Sequence, residues 1–109
     1  MPYSNIPLAA IYAKGNIAAS QTDSSLVAAV TGKKIRVISF RIMTGATATN
    51  VTFNSASTAI SETFQCGSNG GISSAWSPTG HFETVAGEAL TVTTGAGSTT
   101  GVGVSYILV

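Results

Sequence analysis

The chain has 109 residues, one domain's worth, with a formal net charge of +1 and 8% charged residues, against a typical share of about 25%. Five basic residues are too few and too scattered to displace the counterions of a nucleic acid, and no apolar run reaches the length of a membrane-spanning helix. Neither partner is expected. The single cysteine, Cys66, excludes an intrachain disulfide and is expected to be a buried thiol acting as a small hydrophobe.

Ser and Thr supply roughly a quarter of the chain, heavy usage against average composition. Thr is β-branched and fits a pleated, half-exposed surface, so this composition favours strands. A surface so short of charge associates readily, which suggests that much of it is covered in a working assembly.

In chain order, residues 1–7 hold two prolines among polar residues and read as an extended arm before a domain over residues 8–109. Pro2, Tyr3, Ile6 and Pro7 are its candidate partner-binding residues, because their extended, apolar-studded composition lies outside the strand pattern. "LAAIYAKGNIAA" has the alanine content of a helix, but Gly15 interrupts it and no apolar stripe develops, so one or two strands are expected. "SSLVAAV" reads as a strand or a short turn-like segment.

The clearest strand is "KKIRVISFRIM". Strict alternation puts Ile35, Val37, Ser39, Arg41 and Met43 on one face, and Arg36, Ile38, Phe40 and Ile42 on the other. Both faces are largely apolar, which predicts a central strand covered on both sides or meeting a partner chain on one. Lys33, Lys34 and Arg36 form the only basic cluster and read as solvated charge at a strand start. "TNVTFNS" alternates cleanly, "SETFQC" follows, and the turn "GSNGG" leads to a strand over "ISSAW". "HFETV" and "EALTVTT" are two further strands separated by Ala86-Gly87. A loop, "GAGSTTG", precedes "VGVSYILV", whose strand signal runs to the last residue and predicts a C-terminus tied into a sheet.

Eight or so short strands without βαβ alternation predict an all-β, single-domain antiparallel β-sandwich, with a jelly roll as first choice. Strand order is not derivable from the pattern.

Chemistry-bearing groups concentrate in "SPTGHFETVAGEAL", which holds the only histidine, His81, with Glu83 and Glu88. His81 and Glu83 are two apart, hence on one face of a strand, as an acid–base pair or two metal ligands would need. A metal site would want further ligands, and the chain has no second histidine or cysteine. No G-x-S-x-G elbow occurs, and the glycines at 95, 97 and 101 lack phosphate-loop spacing. No enzyme activity, metal or cofactor is therefore expected. Trp76, Phe82, Tyr12 and Tyr106 could stack on sugars, although large aromatics more often anchor cores and interfaces.

"GKKIRVISFRIMTGATATNVTFNS", "SNGGISSAWSPTGHFETVAGEALTV" and "GVGVSYILV", in this order over residues 32–109, resemble small structural proteins of tailed-phage virions, of the head decoration (cement) type. The resemblance implies a β-sandwich seated on the outer capsid surface, and synthesis in the host cytoplasm is expected. It also implies two partners: the major capsid protein, and further copies of the chain in a homotrimer. The absence of a signal-peptide pattern at the N-terminus agrees with cytoplasmic synthesis. The rival expectation is a receptor- or glycan-binding tip domain of a tail fibre. The absence of a β-helical or coiled-coil stalk weighs against it.

Overall fold

The computed structural model describes residues 10–109; the arm residues Pro2, Tyr3, Ile6 and Pro7 lie outside them. Ten strands follow in order: β1 (Ile11–Ile17), β2 (Ser24–Val27), β3 (Ile35–Thr44), β4 (Thr49–Ser55), β5 (Thr58–Ala59), β6 (Phe64–Cys66), β7 (Gly71–Ser73), β8 (Phe82–Glu83), β9 (Leu90–Thr94) and β10 (Thr100–Leu108). They form two antiparallel five-stranded sheets. Sheet A runs β1-β10-β3-β7, with β8 also on β3, and sheet B runs β2-β9-β4-β5, with β6 also on β4. The all-β sandwich expected from the sequence is what forms. Its pairings are nested: β1 with β10, β2 with β9, β3 with β8, β4 with β6. Two further ladders, β3 with β10 and β4 with β9, widen the nested ribbon into sheets.

The core lies between the sheets. Ile35, Val37, Phe40, Ile42, Val102 and Val104 come from sheet A, and Val51, Phe53, Leu90 and Val92 from sheet B, all buried. All four phenylalanines of the chain meet there. Phe40 stands 5.5, 5.2 and 5.6 Å from Phe53, Phe64 and Phe82, centroid to centroid, so the aromatic cluster ties the sheets together.

The strict alternation expected for β3 fails at one residue. Ser105 pairs with Ser39 and Tyr106 with Val37, leaving Ile38 without a partner on β10. This bulge returns Val37 and Phe40, three positions apart, to the same buried side. The two apolar faces read from sequence are therefore mostly one core face with a register change. The outer face of β3 carries Ser39, Arg41 and Met43, and Ile38 itself is fully buried outside the main core cluster.

Other boundaries also shift. Gly15 does not break β1, which pairs through it with Val102. The strand expected over "ISSAW" ends at Ser73, because Ser74 turns its hydroxyl to the Phe40 N–H (2.8 Å) while its own N–H bonds the Phe40 carbonyl (2.9 Å). "HFETV" keeps only Phe82–Glu83 as strand, since the Thr84 hydroxyl accepts the Ile35 N–H at 2.9 Å. Hydroxyls thus complete the pairing where backbone ladders stop, which gives the Ser- and Thr-rich composition a physical role. In "GSNGG" only Asn69 has positive φ, +52°, and the buried Thr44 hydroxyl donates to the Gly67 carbonyl to hold the turn.

Candidate interaction surface

The segment "SPTGHFETVAGEAL" folds as two turns around β8. The first closes from Gly80 N–H to the Ser77 carbonyl and the second from Glu88 N–H to the Val85 carbonyl, with φ +85° at Gly80 and +80° at Gly87. His81 and Glu83 are engaged separately. The His81 Nε2–H donates to the Ala75 carbonyl at 2.7 Å, and the ring sits edge-on to Phe40, 5.5 Å away. Glu83 accepts Arg36 Nε at 2.9 Å and lies 3.6 Å from Lys34 Nζ. The bond from Arg36 holds the Glu83 carboxyl below its ordinary range. Two of the three basic residues expected to be simply solvated are thus paired across the sheet.

Glu88 accepts a bond from the Ser55 hydroxyl (2.5 Å), which in turn accepts the Val85 N–H (2.9 Å). This chain of bonds pins the segment to sheet B and closes one end of the sandwich. Cys66 is buried, and burial pushes its thiol pKa up. Among the described residues no three His, Cys, Asp or Glu side chains gather into a metal-binding group.

A further surface feature of the described residues lies on the outer face of sheet A. Register places Lys14, Gly103, Arg41 and Ser73 on one rung, with Asn16, Gly101, Met43 and Gly71 on the next. β10 presents Gly101, Gly103 and Ser105 outward, so the face sinks along its middle strand. Two adjoining shallow hollows of about 400 and 250 Å³ result, both bordered by Tyr12, Arg41 and Gly103.

Tyr12 reaches diagonally over Gly103 to Arg41. The guanidinium donates to the Tyr12 hydroxyl, and its carbon stands 5.3 Å from the ring centroid. Glycine is required beneath this pair, because a Cβ at residue 103 would stand 2.5 Å from the Tyr12 oxygen. Tyr12 is 48% exposed and Met43 64%.

The sugar-stacking candidates separate. Phe82 and Tyr106 pack against the core, the Tyr12 ring is approached by Arg41, and Trp76 is 60% exposed on the loop before β8. Sequence reading did not find the sheet A face. Its signals, Tyr12-x-Lys14-x-Asn16 and Gly101-x-Gly103-x-Ser105, lie almost ninety residues apart and acquire meaning only when β1 pairs with β10.

No protein-family model matches the chain, and no curated protein matches it by sequence. Among solved structures, it is similar to a chain in the cryo-EM structure of the virus-like particle of the giant freshwater prawn Macrobrachium rosenbergii extra small virus. The TM-score is 0.45 and the identity 14%, over 99% of this chain and 83% of that one.

Proposed function

We propose that this chain is a structural protein of a tailed-phage virion, a decoration (cement) protein that binds the outer surface of the head and bridges capsid subunits without covalent chemistry. The observation that carries the reading is the ordered resemblance over residues 32–109. The geometry supports it by giving each resembling segment a scaffolding task. "GKKIRV" opens central strand β3, "VTF" carries core residues Val51 and Phe53, and "HFETVAGEAL" covers one end of the sandwich. The nested strand pairing supports the further inference that the sandwich is a jelly roll.

In this reading the chain is not an enzyme and uses no cofactor. His81 and Glu83 are each held by a different structural partner, which supports a scaffolding role for their segment. Decoration works by linkage: a protein that binds only the mature shell stabilises that shell in proportion to its differential affinity. A homotrimer at a local threefold position adds avidity from three equal contacts with the major capsid protein.

The test is the copy number and position of the chain in purified particles, by quantitative mass spectrometry and electron microscopy. Many copies on the head, with heads that lose heat resistance when the gene is deleted, are expected. Absence from heads would overturn the reading. The exposed Trp76 favours one second reading, a receptor- or glycan-binding tip domain, which predicts a few copies confined to the tail.

A further inference from the structure

We propose that the outer face of sheet A docks an extended, acidic segment of a partner protein, with an adjacent pair of carboxylates falling on Arg41 and Lys14. This deepens the reading of the chain as a protein that binds another protein's surface.

Charge selects the chemistry. Among the described residues neither Lys14 nor Arg41 is in an ion pair; both salt bridges run to Glu83 from Lys34 and Arg36. The other carboxylates stand away from this rung. Asp23 accepts Asn54 Nδ2 at 3.3 Å, Glu88 accepts the Ser55 hydroxyl, and Glu62 lies between β5 and β6. Among the described residues the Arg41 side chain donates only to Tyr12, and a guanidinium carries five N–H groups. The bond to Tyr12 anchors one end of the guanidinium beside Gly103, and its remaining donors suit a carboxylate, which a guanidinium can meet with two parallel bonds.

Shape selects an extended chain. The trough runs along β10, walled by Tyr12, Lys14 and Asn16 on β1 and by Arg41 and Met43 on β3. Lys14 and Arg41 sit on one rung, on strands two apart, so their backbones are about 10 Å from each other across the floor. Successive side chains of an extended segment lying in the trough point to opposite walls, so neighbouring acidic residues reach the two cations. Tyr12 and Met43 then offer apolar contact to the flanking residues.

Two cations are few for a polyanion, whose binding grows with the number of charges neutralised. The Tyr12 ring, already approached by Arg41, is a poor stacking platform for a sugar.

The test uses amide and side-chain NMR shifts of the whole chain with the end-capped peptide Thr-Leu-Glu-Glu-Leu-Thr, its Gln-Gln counterpart, heparin and polyphosphate. Saturable shifts at Lys14, Arg41, Gly101 and Gly103 are expected with the Glu-Glu peptide, weakened at least tenfold by K14Q or R41Q. Both side chains are exposed, so neither substitution disturbs the core. Equal shifts with the Gln-Gln peptide, no shifts at millimolar peptide, or tighter binding of heparin or polyphosphate to this face would overturn the proposal.

A second readout is the occupancy of K14E/R41E on particles. Unchanged occupancy on heads sinks the docking face while leaving the decoration reading intact. A chain absent from heads that still binds the acidic peptide through this face sinks only the decoration reading.

Discussion

The ring of Phe82 lies 4.9 Å from that of Phe53, centroid to centroid and 32° from parallel. Phe53 comes from the middle of β4 and is fully buried; Phe82 belongs to a two-residue strand on the opposite sheet. This contact seats the 77–88 segment on the core. Truncating Phe53 to Ala removes a ring that touches three others, so a loss of about 3–5 kcal/mol is expected. Phe82→Ala should cost less, because the ring is only half-buried, and the exposed Trp76→Ala should stay within about 0.5 kcal/mol. Urea unfolding of the three variants gives the order. A Trp76 variant as damaged as the Phe53 variant would contradict this placement.

Glu83 links that segment to β3 through Arg36 and Lys34. Its carboxyl titrates below the ordinary 4.5, chiefly because Arg36 bonds the charged form. A depressed folded-state pKa gives stability that is present above the unfolded value and lost as pH falls through the folded one. Glu83→Gln should therefore be less stable than wild type near neutral pH, with the gap closing below pH 4.5. Glu83 is about a third exposed, so the gap should not exceed about 1 kcal/mol. Denaturant midpoints of both proteins over an acid series measure it. A gap that widens on acidification would reverse the sign.

The strand content, the two turns at Gly80 and Gly87, and the central position of β3 are legible from alternation and turn residues, which are local signals. The bulge at Ile38 is not, because it depends on how Ser105 and Tyr106 of β10 pair sixty-odd residues later. The ends of β7 and β8 escape the pattern for a related reason. Ser74 and Thr84 replace ladder bonds by hydroxyl bonds, and nothing in their immediate neighbours announces that choice. The hairpin partner β5, two residues after the positive-φ Ala56, carries too short a signal to be read. The sheet A face was illegible because β1 and β10 come from opposite ends of the chain.

Two glycines should respond differently to the same substitution. At Gly103 an added Cβ meets the Tyr12 hydroxyl at 2.5 Å, the far end of a side chain that can swing away. Gly103→Ala should fold with a loss under about 1 kcal/mol while breaking the Tyr12–Arg41 contact. NMR cross-peaks between the two side chains should vanish. Gly80 has φ +85° and places its Cβ 2.5 Å from Arg36 Cγ, so Gly80→Ala adds backbone strain to a clash. A loss of about 1–2 kcal/mol or more is expected. Equal losses at both sites would show that space, and not backbone conformation, controls them.

Cys66 closes β6 opposite Thr49 on β4 and is 4% exposed. Thiol reagents attack the thiolate, and burial both hides the sulfur and raises its pKa. Modification must then wait for an opening of the structure. Labelling by a disulfide reagent at neutral pH should be suppressed at least about a thousandfold relative to the denatured chain, as the folded-to-unfolded ratio of a small domain allows. The denaturant dependence of the rate identifies the opening. A steep dependence matching global unfolding is expected, because β6 pairs beside the Phe64–Phe53 contact of the core. A rate insensitive to denaturant would instead assign the opening to local release of β6, with the aromatic cluster intact. Labelling of the native chain within tenfold of the denatured rate would contradict the burial itself.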